Sequence, residues 1–291
     1  MRVVTALTNR LGDRPSNQDR CRVVHRGDAV LLALADGMGG HARGEVAAQV
    51  LVDRVEAAFQ HLALPVTAPA QFLTAACAQA HEAIVAAGLK LPDPVYPRTT
   101  VVLCLVQNNR AWWAHVGDSR LYLLRDGGVL ARTRDHTYVE DLLRHRAIRE
   151  TEAAAHPMRN CVTQCLGGPR PAPRPTVAAE TSLQFGDVLL LCSDGLWSAV
   201  DDQQLGAITA SQDLESAVNR LADAAERAGY PNCDNVSVIA LRLLAGQEVD
   251  LQAGTEAPGP DSECGRDPHR LQDAIDYIRD AIRRYRHELD D

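Results

Sequence analysis

Residues 29–36 read Ala-Val-Leu-Leu-Ala-Leu-Ala-Asp, an unbroken apolar run closed by a carboxylate and followed by Gly37-Met38-Gly39-Gly40. An apolar run of that length with no polar alternation predicts a strand covered on both faces. Taken alone, the Asp36-Gly37 step is a turn. Similar runs predict strands over 99–106, 111–116, 120–124, 177–183, 187–191 and 236–243, with weaker ones over 3–8 and 21–25. Helical spacing of Val46, Val50, Val55 and Phe59 predicts a helix over 44–62, and an Ala-rich segment a second over 70–87. Both are expected on one face of a sheet. A charged segment, 135–165, reads as helical with Val139, Leu142 and Leu143 as its apolar marks, and 213–228 as an amphipathic helix. Residues 9–19, 91–97 and 167–175 are rich in Gly or Pro and read as loops, and Arg125-Asp126-Gly127-Gly128 as a plain hairpin turn.

The pattern changes near residue 245. Residues 245–268 are rich in Gly, Pro and acids and read as a flexible linker. Residues 269–291 regain helical spacing through Leu271, Ala274, Ile275, Ile278, Ile282, Tyr285 and Leu289, after a start signal at Asp267-Pro268. An amphipathic helix beyond a linker must cover its apolar face, so self-docking or pairing in a dimer is expected. Acids on its polar face disfavour a membrane.

Composition narrows the options. Hydrophobic residues make up 46% of the 291 and charged residues 23%, ordinary for a globular chain, while aromatics at 4% leave the core to Leu, Val, Ile and Ala. A net charge of -8 argues against a general nucleic-acid binder. No apolar run is expected to reach membrane-spanning length, and the N-terminus has no secretory h-region. The eight cysteines are scattered, and the Cys161/Cys165 pair lacks the partners of a zinc site, so reduced structural thiols in a cytoplasm are expected.

Four aspartates sit at strand ends: Asp36 and Asp194 after apolar runs, Asp118 after Gly117, and Asp234 before the last strand. Each alone reads as a turn or cap residue. Together they point to a shared site, because carboxylates crowded without partners cost several kcal/mol each, roughly, unless a cation offsets them. An all-oxygen set suits Mg²⁺ or Mn²⁺ rather than Zn²⁺. Two such ions can activate a water for attack on phosphorus. Arg14, in a loop with Asp19, offers a planar fork that matches phosphate oxygens.

These segments, in order, resemble the motifs of the type 2C (PPM) metal-dependent Ser/Thr protein phosphatases, bacterial type. They are Gly12-Asp13-Arg14-Pro15-Ser16-Asn17-Gln18-Asp19, Ala35-Asp36-Gly37-Met38-Gly39-Gly40, Gly117-Asp118-Ser119-Arg120, Ser193-Asp194-Gly195-Leu196-Trp197 and Asp234-Asn235-Val236-Ser237. Asp135-His136-Thr137, His156-Pro157-Met158-Arg159-Asn160 and Leu166-Gly167-Gly168 look like that family's central segment. The resemblance implies an α+β fold, a four-layer α-β-β-α sandwich of two mainly antiparallel sheets flanked by helices. It implies a phosphatase domain over 1–244 with a flap at about 139–160. Asp36 resembles the carboxylate that bridges two metals, with the Gly37 carbonyl as another ligand. Asp194 and Asp234 look like the remaining ligands of the first ion, Asp19 like the acid holding the second ion's waters, and Asp118 like a ligand of a labile third. Arg14 resembles the phosphate-binding arginine.

The implied reaction is hydrolysis of phosphoserine and phosphothreonine on proteins by a metal-activated water. Met38 stands where many eukaryotic members carry a histidine proposed as general acid, so the resemblance implies that leaving-group protonation relies on metal-bound water. Tyr96-Pro97-Arg98-Thr99-Thr100 replaces a more usual Gly-rich segment, and Arg98 reads as a solvated loop residue or as added charge near the cleft. His41 and His115 read as structural, and Ser119 and Ser193 lack a triad. Phosphoproteins are the implied substrates, with a Ser/Thr kinase or a phosphopeptide-binding scaffold as partner by analogy, no nucleic acid and no membrane. The rivals are a non-catalytic phosphoprotein-binding module and a small-molecule phosphatase on the same fold. As to oligomeric state, a monomer or a tail-mediated dimer is expected.

Overall fold

The computed structural model describes residues 1–38, 43–153, 155–169, 171–210 and 213–245. Gly39, Gly40 and His41, the linker beyond residue 245 and the helix expected over 269–291 lie outside them. The chain opens with strands β1 (Val3–Arg10), β2 (Asp19–Arg26) and β3 (Ala29–Asp36), then helices α1 (Gly44–Gln60) and α2 (Pro69–Leu89). A short β4 (Arg98–Thr99) leads into β5 (Val101–Gln107), β6 (Arg110–Val116), β7 (Arg120–Arg125) and β8 (Gly128–Arg132). Next come α3 (Tyr138–Arg144), α4 (Glu150–Ala153), β9 (Leu166–Gly167), β10 (Thr176–Val177), β11 (Thr181–Ser182) and β12 (Val188–Cys192). The described chain ends with α5 (Asp194–Trp197), α6 (Asp202–Thr209), α7 (Leu214–Gly229) and β13 (Val236–Leu243).

One sheet has the order β10-β6-β5-β3-β2, with β11 also on β6. The other has the order β1-β13-β12-β7-β8, and all pairs in both are antiparallel. The apolar runs explain the layering. In β3, Leu31, Ala33 and Ala35 pack with Leu51, Phe59 and Ile84 of α1 and α2, whereas Val30, Leu32 and Leu34 pack with Leu121, Leu189 and Ile239 of the opposite sheet. Both faces are therefore covered, so period-2 alternation has no polar partner to reveal it. On the far side, Leu190, Val238 and Ala240 meet Leu196, Leu205, Val218 and Leu221 of α5, α6 and α7. The result is helix, sheet, sheet, helix, with each wholly buried leucine contributing about 2 kcal/mol. This is the α-β-β-α sandwich expected.

Four local expectations need correction. The stretch 135–165 is not one helix: α3 and α4 are short, and Val139 is the only buried residue of the two. Without an apolar stripe to dock, such a charged segment cannot sustain a long helix. The strand expected over 177–183 divides into β10 and β11, both on β6. Helix α6 was not expected, although Asp201 and Gln204 form a capping box visible in the sequence as D-x-x-Q. Finally, α2 is long and apolar enough, by length and composition, to cross a membrane, with mean hydropathy 1.3. Here its Leu73, Ala76, Cys77, Ala80 and Ile84 are buried in the helix–sheet core.

Candidate metal centre

Antiparallel alternation brings the strand ends together. In one sheet β3 and β6 run the same way, so Asp36 and the Gly117-Asp118 step fall at one edge. In the other, the end of β12 meets the start of β13, which places Asp194 beside Asp234. Asp36 continues the face of Val30, Leu32 and Leu34, the face between the sheets, by the two-residue period of a strand. Arg14, Asp36, Gly37, Asp118, Asp194 and Asp234 all line one cavity of about 550 Å³. Asp19 does not line it. It is the cross-strand partner of Asp36 and lies 1% exposed behind it.

The loop that carries Arg14 is pinned by a residue that received no role in the sequence reading. Asn235 donates to the carbonyls of Leu11 (2.8 Å) and Ser16 (3.1 Å) and accepts from the Gln18 N–H (2.8 Å). Asp13 adds a carboxylate to the Cys233 N–H at 2.9 Å. Arg14 then donates to Asp234 Oδ2 at 2.6 Å. The end of β3 is held by the paired threonines: the Thr99 hydroxyl donates to the Asp36 carbonyl (2.8 Å), and the Asp36 N–H reaches Thr100 Oγ1 (3.2 Å). Asp118 is anchored through its carbonyl, which accepts from Trp197 Nε1 at 2.9 Å. Arg120 lies 3.7 Å over that indole while forking Asp135. The partners of Thr99, Asn235 and Trp197 are far off in sequence, so only short motif spacing could have flagged them.

Gly37 is required by a close backbone approach. A Cβ there would lie 2.4 Å from the Gly44 carbonyl oxygen and 2.7 Å from that of Gln18. Backbone cannot yield as a side chain can, so Gly37→Ala is expected to lower the unfolding free energy by about 2 kcal/mol or more. Urea denaturation measures this, and an unchanged midpoint would refute it.

The carboxylates disfavour one another's charge. Burial pushes Asp19 up to about 7, the hydroxyls of Ser193 and Ser237 pulling the other way and the charges of Asp194 and Asp234 adding to the rise. Burial also raises Asp118 to about 8, reinforced by Asp194 and Asp135. Asp194 rises to about 6 through burial and Asp234, against the Gly195 N–H and Arg14. Asp36 is held well above the usual carboxylate range by burial and then by Asp19, Asp194, Asp118 and Asp234. Arg14 is shifted the other way from easy deprotonation, upward, by its hydrogen bond to Asp234.

This donor set fits a divalent cation. Asp19 Oδ2 is fully buried with no hydrogen-bond partner, a state that costs free energy unless a cation or its waters satisfy it. All the converging groups are hard oxygens, which suits Mg²⁺ or Mn²⁺. Among the described residues no three acidic, histidine or cysteine side chains enclose an ion by themselves.

The remaining expectations fall out as follows. His115 is buried, bonded to the Arg134 carbonyl at 2.7 Å and stacked on His136 at 4.6 Å, away from the cleft lining. Arg98 is not a solvated loop residue: it belongs to β4, is half-buried, and lines the cleft. Cys161 and Cys165, read as scattered thiols, also line it, together with Asn160 and Val162 of the flap's return. A Thr137–Val162 bridge joins the two ends of the segment between them.

The four-layer sandwich thus carries a cleft that gathers four carboxylates with an arginine at its edge, donors suited to a divalent cation and to a phosphate. The protein phosphatase 2C family profile matches residues 8–232. The serine/threonine protein phosphatase PstP of Mycobacterium tuberculosis is 37% identical over 248 residues, covering 83% of this chain and 45% of PstP. The chain thus spans less than half the length of that relative. Protein phosphatase PhpP of Streptococcus pneumoniae is 30% identical over 258 residues, covering 86% of this chain and 99% of PhpP. The PstP catalytic domain, solved in complex with two manganese ions, superposes with a TM-score of 0.72 at 33% identity, covering 84% of this chain and 99% of that one. The chain belongs to the protein phosphatase 2C family, alongside these bacterial members of PPM type.

Proposed function

We propose that this protein is a Mg²⁺- or Mn²⁺-dependent phosphatase that hydrolyses phosphoserine and phosphothreonine on proteins. The observation that carries the reading is the convergence of Arg14 with Asp36, Asp118, Asp194 and Asp234 on one cleft. Asp36, Asp194, Asp234 and the Gly37 carbonyl would hold the two core ions, with Asp19 behind them and Asp118 toward a labile third. Bound there, the ions would supply a low-pKa water as nucleophile and offset charge on the phosphoryl group. Arg14 stays protonated beside Asp234 and presents its remaining donors to phosphate oxygens in a fixed orientation. Among the described residues no histidine lines the cleft. The domain over 1–244 would suffice for this chemistry, with opposition to a Ser/Thr kinase in the cytoplasm as the proposed setting; the names of PstP and PhpP support the protein-phosphatase activity alone.

The test is phosphate release from a phosphothreonine peptide by the purified full chain with Mn²⁺, with and without chelator. Arg14→Ala is expected to lower kcat/KM by about a hundredfold through loss of a charge-assisted phosphate contact. Equal rates with chelator present, or faster turnover of sugar phosphates and nucleotides than of phosphopeptides, would overturn the reading.

A further inference from the structure

Two arginines line the cleft, and they are in different electrostatic states. Arg14 is committed to Asp234 at 2.6 Å. Among the described residues, Arg98 makes no hydrogen bond and no ion pair through its guanidinium, though it is half-buried. Its backbone is fixed from two directions: its carbonyl accepts from the Met38 N–H at 3.0 Å, and it pairs with Gly167 across the β4–β9 ladder. The side chain lies against Gly168, where even a methyl group would come within 3.2 Å of Arg98 Nε. A guanidinium so placed is half-buried on a strand held at its backbone, and among the described residues no carboxylate pairs with it.

Arg98 lines the cleft together with Asn160 and Val162. Among the described residues it bonds to none of the four aspartates there, whereas Arg14 is tied to Asp234. Its guanidinium is thus open to an anion that enters the cleft.

We infer that Arg98 is a specificity-determining residue that pairs with an oxyanion of the substrate other than the phosphoryl group being hydrolysed. The preferred substrates are then phosphopeptides with a carboxylate or a second phosphate flanking the phosphoresidue, since the guanidinium fork matches both. This inference rests on the phosphatase reading above.

The experiment compares three phosphothreonine peptides that differ only in the flanking residues: glutamines, glutamates, or a second phosphothreonine. With Mn²⁺ and the full chain, kcat/KM for the glutamate or doubly phosphorylated peptide is expected to exceed that for the glutamine peptide by about tenfold, the size of a partly exposed charge-assisted bond. Arg98→Gln should bring that ratio close to one, and Arg98→Lys should retain part of it. Whichever anionic peptide shows the larger loss identifies carboxylate or phosphate as the natural partner. Because each ratio is internal to one protein sample, a general loss of fold cannot imitate the result. A wild-type ratio near one, or an unchanged ratio in Arg98→Gln, would overturn the assignment of Arg98. Fluorescence anisotropy gives the same ratios as Kd values without turnover, so failure to hydrolyse any peptide would overturn the phosphatase reading while still leaving Arg98 tested.

Discussion

Asp36→Asn is expected to reduce Mn²⁺-dependent phosphate release by about a thousandfold, the scale of losing a charged ligand to a catalytic ion, while making the metal-free protein more stable. The two effects have one cause. Asp36 sits between the sheets with Asp19 opposite it in register, so its charge is opposed by burial and by four other acids, Asp19, Asp194, Asp118 and Asp234. Asparagine keeps the shape and removes the charge. The melting temperature of the metal-free variant should rise by about 2–5 °C at pH 8, and Mn²⁺ should add much less stability to it than to the parent. An unchanged or lower melting temperature without metal would show that Asp36 is satisfied by the protein itself, and residual turnover near the parent level would remove it from the site.

The second expectation concerns pH. Asp194, Asp19 and Asp118 are raised to about 6, 7 and 8, and Asp36 is raised as well, above the carboxylate range of an unfolded chain. Below pH 4 both states hold these protons, so the native state carries no penalty. As pH rises, the unfolded chain releases protons that the native state retains, so stability without metal must fall through the window from about pH 4 to 8. The slope approaches roughly 1.4 kcal/mol per pH unit for each group still protonated only in the native state. Bound metal requires the ionised carboxylates, so it should flatten this loss and release protons on binding, on the order of one or more per domain near pH 6.5. Chemical denaturation across pH with and without Mn²⁺, and calorimetry in buffers of different ionisation enthalpy, measure both. Metal-free stability that rises from pH 5 to 8 would contradict the electrostatics of the cleft.

Much of the architecture was legible in advance, for physical reasons that differ by element. Strands β3, β5, β12 and β13 are buried on both faces, so they appear as apolar runs that need no context. Helix α7 shows its stripe because one side faces water. The segment between Thr133 and Leu166 was misread because its residues are held by bridges such as Thr137–Val162, not by a periodic apolar face. The sequence leaves Arg98 open between a solvated loop residue and charge near the cleft, because nothing in Tyr96-Pro97-Arg98 announces that β4 will pair with Leu166–Gly167.

By itself the sequence determined which residues have the chemistry: aspartates that end or precede apolar strands, glycines beside them, and one arginine in a polar loop. It also determined the order of motifs that marks the family, because those motifs are short, local and contiguous. Only the tertiary structure decided how these groups stand to one another. Asp19 stands directly opposite Asp36 in register yet is buried and does not line the cleft, which no spacing in the sequence shows. Arg14 is tied to Asp234 across most of the chain by a loop that Asn235 holds. Burial, which raises the proton affinity of Asp19, Asp36, Asp118 and Asp194, is a property of two sheets closing on each other, and no residue carries it alone.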